Sequence, residues 1–484
     1  MHSLKSVHAL DTLLNSLHTQ KANLLHQLEQ IDADIAAAGR KRAKICNDAA
    51  LVSKLPPELL SHIFLLCQKD KPAFRLIATR VCSRWRDLAV GTRMLWTDIR
   101  ISLAHYLHVQ SGLDKMETYL SRSGPSSLFD VRLDIDDVLD YAPFLKLIAN
   151  HIERCSHLSV SVLAVSVRQR TSAACLLFRE HLELLWAPHL SHLSLHVDSG
   201  DGYEITMCGT PSILKAGAPS LSHLQLTGYA TGLQPPISGG ITTLYLDGMY
   251  MTSLTVLEYR DMLATNRCLV NLSLQWFAID SSMSTDSRTV ELPMLRSLRI
   301  RTEEGYSGSN EALLNALPLS RLESLILYDF DDLFSFEFPN VKDLSLYNCE
   351  FLMDQTVIEQ LVLAFPSIIR LTLELYSGPF LYAALSILGE PMTWPKLRTL
   401  CVKELDIIDD SDDFSALSRL VQARSRVNSP LDFLYLDNSS HRRAVDILRA
   451  LGTPTKIICT DIYPAPWPPG SDMNSVHYDN FWED

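Results

Sequence analysis

The chain has 484 residues, 47% hydrophobic and 20% charged, the usage of an ordinary folded protein, which excludes a wholly disordered or collagen-like chain. Asp and Glu number 56 against 43 Lys and Arg, and the net charge of −13 argues against a general nucleic-acid binder, whose affinity rests on neutralising phosphates. No apolar run approaches the ~18 to 20 residues of a membrane span, and His8, Asp11 and Asn15 interrupt any signal-peptide core. Ten cysteines scattered without a C-x-x-C pair suit a reducing compartment, so the expectation is a cytoplasmic or nuclear chain with no membrane partner.

From the N-terminus, apolar residues fall at Val7, Leu10, Leu14, Leu17, Leu24, Leu28, Ile31 and Ile35, in steps of three and four, with Lys21 on the seam position between. Two readings fit this heptad stripe: a coiled coil with a second copy, making a homodimer, or one amphipathic helix lying on its own domain. Gly39 is expected to end the pattern. Arg40, Lys41, Arg42 and Lys44 then read as a solvated hinge or, alternatively, a nuclear-import signal.

Next, Leu55-Pro56-Pro57-Glu58-Leu59-Leu60 places prolines where the first turn of a helix needs no N–H donor, and Glu58 where it complements the helix dipole. Leu59, Leu60, Ile63, Phe64 and Cys67 follow at helical spacing. A second helix is expected after Pro72. A third is expected through Val81-Cys82-Ser83-Arg84-Trp85-Arg86-Asp87-Leu88-Ala89, with Val81, Cys82, Trp85, Leu88 and Ala89 on one side.

From about residue 125 to 440 the period changes to a recurring L-x-x-L-x-L unit, clearest at 190–195, 221–226, 269–274, 295–300, 322–327, 341–346, 368–373, 397–402 and 431–436. Weaker copies of the unit centre on Val131 and Leu244 and near Leu158, and with Leu244 included the nine steps from Leu193 to Leu434 average about 27 residues, inside the range of leucine-rich repeats. Proline recurs shortly before the unit, at Pro219, Pro293, Pro339, Pro366 and Pro395, and marks the same turn each time. Alternation buries the paired leucines of each unit. The residues between them should form a continuous opposite face open to a ligand: Ser194, Gln225, Tyr245, Ser273, Arg299, Ile326, Ser345, Thr372 and Tyr435. Gln225, Tyr245, Arg299, Thr372 and Tyr435 are the candidate substrate-binding residues.

L-P-x-E-L-L-x-x-I-F at 55–64, C-x-x-W-x-x-L-A at 82–89 and Leu95-Trp96-Thr97-Asp98-Ile99 together resemble an F-box. With the N-terminal seam, Tyr119-Leu120-Ser121-Arg122-Ser123-Gly124 and irregular repeats, the arrangement is similar to the large F-box-domain family of mushroom-forming fungi (basidiomycetes). The resemblance implies an F-box docked on a Skp-type adaptor of a cullin–RING (SCF-type) ubiquitin ligase, and repeats that hold a protein substrate. Carried over residue by residue, the adaptor-facing candidates are Leu55, Pro56, Glu58, Leu59, Leu60, Ile63, Phe64, Val81, Cys82, Trp85 and Leu88. Trp85 has a second reading as internal core. Arg93 and Met94 stand where the family usually has proline before its Leu-Trp pair, and the repeats largely lack the Asn or Cys that turns the chain after the strand, Cys349 being the best match. An irregular array is therefore expected.

The fold class expected is α/β: an N-terminal helix and small all-α F-box, followed by an irregular leucine-rich-repeat solenoid (horseshoe). Its segments are a helix over 1–38, a basic linker over 39–50, the F-box over 51–100, the solenoid over 101–456 and an acidic aromatic tail over 457–484. No phosphate loop, dinucleotide fingerprint, zincin helix or nucleophile elbow is present, so no catalytic, cofactor or metal residue is assigned. The runner-up to a ligase substrate receptor is a repeat scaffold that assembles partners without ubiquitination, and an unrecognised enzyme stands third. Asp134, Asp136 and Asp137, Asp329, Asp331 and Asp332, and Asp409, Asp410, Asp412 and Asp413 read either as solvated loops and caps or as an acidic rim for a basic substrate. The tail from Tyr463, with Trp467, Phe481 and Trp482, reads as a closing or disordered segment, or as a docking peptide.

Overall fold

A computed structural model describes residues 2–102, 109–136, 141–163, 171–197, 213–228, 240–248, 254–276, 279–280, 289–301, 311, 313–329, 336–349, 355–374, 385–389, 393–403, 412–427, 429–436, 455–459 and 467–468. The chain divides into two units: Met1–Asp98 with Tyr119–Ser127, and Ile99–Thr118 with Leu128–Asp484.

The first unit opens on α1 (His2–Ala49), a single 48-residue helix. It does not stop at Gly39, and the basic cluster lies within it. A glycine costs a helix only about 1 kcal/mol relative to alanine, and Ala36, Ala37 and Ala38 before it and the long basic side chains after it all favour the helix. Leu10, Leu14, Leu17, Leu24, Leu28, Ile31 and Ile35 are all more than half exposed, so the seam is not laid against the rest of its own unit. Helices α2 (Pro57–Asp70), α3 (Phe74–Val81) and α4 (Ser83–Gly91) follow, then a 3-10 turn over Arg93–Trp96.

The second unit is built on a parallel sheet of fourteen strands in chain order. They are β1 (Asp98–Ser102), β2 (Phe129–Asp136), β3 (Cys155–Leu163), β4 (His192–Val197), β5 (His223–Gly228), β6 (Thr243–Asp247) and β7 (Asn271–Gln275), then β8 (Ser297–Arg301), β9 (Ser324–Tyr328), β10 (Asp343–Tyr347), β11 (Arg370–Glu374), β12 (Thr399–Lys403), β13 (Phe433–Leu436) and β14 (Lys456–Cys459). The sheet is open, not closed, consistent with a solenoid-like α/β fold. Every L-x-x-L-x-L unit named above supplies one strand. Two further strands lie at the ends: β1 starts inside the segment expected to be F-box, and β14 runs past the expected start of the tail.

Register explains the repeat. Leu193, Leu224, Leu244, Leu272, Leu298, Leu325, Leu344, Leu371, Leu400 and Leu434 sit opposite one another along the sheet, each fully buried or nearly so. A second row two residues on includes Leu195, Leu226, Leu274, Ile300, Leu327 and Leu346. Each such side chain stabilises by about 1.5 to 3 kcal/mol when buried, and only a neighbouring repeat can bury it. The prolines make one turn repeatedly: Leu221 N–H bonds Ala218 O, Leu295 Leu292, Val341 Phe338 and Leu397 Trp394, with Pro219, Pro293, Pro339 and Pro395 second in each turn. Both closing residues are buried, and the Phe338 and Phe365 rings of successive turns stack at 4.6 Å.

After the strand, where an Asn or Cys ladder is mostly missing, left-handed residues turn the chain instead. Trp276 (φ 50°), Asp329 (φ 52°) and Asn348 (φ 46°) follow β7, β9 and β10. Each donates its N–H to the end of the next strand: Trp276 to Arg301 O, Asp329 to Tyr347 O and Asn348 to Glu374 O. Buried Cys349 points its Sγ at the carbonyls of Tyr347 and Leu327, as its place in the repeat suggested.

Candidate functional site

In the first unit, α2 begins as its prolines dictate: Pro57 occupies the first turn and Leu60 N–H bonds Pro56 O. One side of the helix then closes the core. Leu60 and Phe64 are fully buried, the Phe64 ring lies 4.8 Å from Trp85 and 5.8 Å from Phe74, and buried Gln68 donates to Leu95 O at 3.0 Å. Arg75 Nη1 bonds the same carbonyl at 3.1 Å and also Asp98 O, and its guanidinium sits 4.5 Å over the Tyr119 ring. Trp96 is fully buried. It donates its indole N–H to Ala89 O at 2.8 Å, and Arg122 covers its face at 4.4 Å. The segment Tyr119-Leu120-Ser121-Arg122-Ser123-Gly124 thus finds its purpose in packing around Trp96, and Gly124 takes a φ of 80° with the Arg93 side chain 3.1 Å from where a Cβ would lie. The 3-10 turn closes without proline, Leu95 N–H bonding Thr92 O at 3.0 Å, while Thr92 Oγ1 bonds Leu88 O at 2.8 Å at the end of α4.

The adaptor-facing candidates therefore separate. Pro56, Glu58, Leu59, Ile63 and Val81 are exposed, Leu55, Cys82, Trp85 and Leu88 are half-buried, and Leu60 and Phe64 are core. Leu60 and Phe64 cannot meet a partner without unfolding the domain, and this corrects their assignment: the first turns of α2 carry apolar residues on more than one side, and the buried side is theirs. Cys82 caps α4, its Sγ accepting the Trp85 N–H at 3.5 Å. Arg84 donates to Ser53 O and Leu55 O, tying the entry segment down. Leu59 at 54% exposed, Ile63 at 40% and Leu66 at 50% form one stripe on α2, and Ile77 and Val81 another on α3. Leu66 and Ile77 belong to this exposed set but not to the adaptor-facing candidates carried over from the motif; their helical offset from Leu59, Ile63 and Val81 is the signal that finds them.

In the second unit the face opposite the leucine core is not the open surface expected. Gln225, Tyr245, Arg299 and Thr372 are all buried, Arg299 at 1% exposed, and Tyr435 is half-buried. The cause is ladders between parallel strands in register, each side chain covering its neighbour. Along one row the rings of His157 and His192 stack at 4.3 Å and those of His192 and His223 at 5.0 Å. Along the next, Ser194 Oγ bonds Gln225 Oε1 at 3.2 Å and Arg299 Nε donates to Ser273 Oγ at 2.9 Å. In the third, Arg301 lies 4.1 Å over the Tyr328 ring and 3.6 Å from the Asp329 carboxylate. Burial pushes the Tyr347 hydroxyl well above its usual range, which keeps it neutral.

Trp467 packs on this face. Trp467 is 7% exposed and clusters with Tyr245, Ile326, Tyr328 and Tyr347. Its indole N–H donates to Ser297 Oγ at 2.9 Å, its carbonyl accepts from the Tyr245 hydroxyl at 3.0 Å, and the Arg299 guanidinium sits 4.5 Å from its ring. Of the acidic-loop residues, Asp137, Asp331, Asp332, Asp409 and Asp410 lie outside the described residues, as do Phe481 and Trp482. Among the described residues no helix is long and apolar enough to cross a membrane, and no group of three His, Cys, Asp or Glu is placed to hold a metal.

No curated protein matches the chain. The F-box-like family model matches residues 52–102, a stretch that takes in α2, α3, α4 and the buried Leu95-Trp96 turn. Residues 52–102 are an F-box-like domain, which suggests a role in protein–protein interaction.

Proposed function

We propose that the chain is the substrate-receptor subunit of an SCF-type (cullin–RING) ubiquitin ligase, in the cytoplasm or nucleus. Its F-box binds a Skp-type adaptor, and its strand array, read as irregular leucine-rich repeats of the kind found with F-boxes in mushroom-forming fungi, holds a protein substrate. Such a chain positions its partners and performs no chemistry. The observation that carries the reading is the F-box-like domain whose core is closed by Leu60, Phe64 and Trp96 while Leu59, Ile63, Leu66, Ile77 and Val81 remain exposed. Large apolar side chains left exposed at helical spacing mark a surface that a partner covers. A second copy of the chain pairs along α1, whose exposed seam is the same kind of feature.

The test is co-purification of the full chain with a Skp-type adaptor, wild type against Leu59→Asp plus Ile63→Asp. Both positions are exposed, so circular dichroism must be unchanged while adaptor binding falls by ~2 kcal/mol or more, about thirtyfold. Failure of the folded wild type to bind sinks the ligase reading. A scaffold that assembles partners without ubiquitination then takes its place, a reading favoured by the sheet face being filled from within. The level of a bound partner separates the two, since only a ligase receptor makes it fall in a proteasome-dependent way.

A further inference from the structure

Trp467 sits on the sheet face opposite the leucine core, between Tyr245 on β6 and Ser297 and Arg299 on β8. Its departure would leave the paired leucine rows, Leu244 and Leu246 or Leu298 and Ile300, undisturbed on the other side of the strands. The site beneath is held in shape by the sheet itself: Ser273 on β7 takes the Arg299 Nε–H and so aims the guanidinium. What it presents is specific to one side chain. Ser297 Oγ accepts an indole N–H, the guanidinium takes an aromatic face, and the Tyr245 hydroxyl takes the backbone carbonyl of the same residue. Phenylalanine satisfies the second and third of these and leaves the first unmet, and a buried acceptor without its donor is costly.

We infer that Tyr245, Ser297 and Arg299 form a tryptophan-reading site for a partner segment, and that Trp467 occupies it in cis as a resident competitor. The inference deepens the proposed function, on which it rests, by naming the substrate class: a protein with an accessible tryptophan in a proline-flanked, acidic stretch. The chemistry of that class is written in the chain's own occupant, with Pro466, Pro468 and Pro469 beside Trp467, Asp461 and Asp472 further out, and no Lys or Arg after Lys456. A tethered occupant holds its site at an effective concentration of the order of millimolar, so a partner is admitted only if it binds more tightly than the tail or is presented at comparable local concentration.

The experiment uses a labelled peptide of residues 461–472 and the full chain. The Trp467→Ala chain should bind the peptide at least about tenfold more tightly than wild type, because the resident is gone. Tyr245→Phe, added to Trp467→Ala, should weaken that binding by roughly fivefold, and so should Trp467→Phe placed in the peptide. In the otherwise natural chain labelled with 5-fluorotryptophan, excess peptide should move the fluorine resonance of Trp467, assigned by Trp467→Phe, toward its free position; this arm stands even if Trp467→Ala misfolds. Equal binding to both chains, indifference to Trp467→Phe in the peptide, or an unmoved resonance overturns the site. Adaptor co-purification runs in parallel: a lost adaptor with peptide competition intact supports the site while removing the ligase reading, and an intact adaptor with no competition overturns the site alone.

Discussion

The two units treat polarity in opposite ways. The F-box-like domain leaves Leu59, Ile63, Leu66 and Ile77 in water, whereas the sheet hides Gln225, Ser273, Arg299 and Thr372. Exposed apolar surface costs free energy that a partner returns, while a buried polar group is tolerated only when its hydrogen bonds are made at home. The sheet makes its own, strand to strand and with Trp467. The first unit thus leaves apolar surface of the kind the proposed partner would cover, and the second has a polar face covered in part by its own Trp467.

The sharpest way to break that contrast is to exchange inside for outside on α2. Phe64→Ala removes a fully buried ring that touches Phe74 and Trp85, at a cost of about 3 to 5 kcal/mol. Leu59→Ala, one turn away and half exposed, should cost less than about 1 kcal/mol. Urea unfolding followed by tryptophan fluorescence checks both. The Phe64→Ala chain should lose the transition of the first unit at low urea while that of the sheet unit stays, and equal losses from the two substitutions would show that α2 has no distinct inner and outer sides.

Consecutive Leu59 and Leu60 also show where sequence stops being informative. The motif L-P-x-E-L-L locates the helix, because proline and glutamate act on their own first turn. It cannot choose between two adjacent leucines, since which one faces inward depends on where α3 and α4 pack. The strands were legible for the opposite reason: alternation of leucine with other residues is local, recurs ten-fold or so, and each copy supports the next. The covering of Tyr245 on their other face was not legible, because its contact with Trp467 joins residues 222 apart in sequence. Nor was β14, Lys456–Cys459, whose Lys-Ile-Ile-Cys lacks the leucine pair and is a strand because β13 offers it a free edge.

The α1 seam sharpens the same contrast at longer range. If exposed leucines in the first unit mean missing partners, the full chain should sediment at twice its monomer mass at micromolar concentration. Leu14→Asp with Leu28→Asp, both on the seam, should return it to monomer with its helix content lowered. A wild-type chain that sediments as monomer removes the second copy as the partner of this helix.

The smallest effect expected lies at the edge of the sheet's polar ladders, where solvent still reaches. Asp130 on β2 accepts from His157 Nδ1 at 2.7 Å and from Ser156 Oγ, with the His157 and Asp130 side chains 41% and 47% exposed. Burial pushes the carboxyl up, but the hydrogen bonds from His157 and Ser156 outweigh it, and the net position is below the ordinary carboxylate value. A carboxyl whose folded pKa is depressed adds stability that is fully present above the unfolded value of about 3.9 and is lost as pH falls through the lower folded value. Exposure and salt keep the amount to a few tenths of a kcal/mol. Asp130→Asn should therefore be slightly less stable than wild type from pH 7 down to about 4.5, with the gap closing below pH 4 and shrinking in ~0.5 M salt. A gap that is as large in acid as at neutrality would mean that Asp130 acts through packing and not through its charge, and that the polar ladders hold even at their exposed edge without electrostatics.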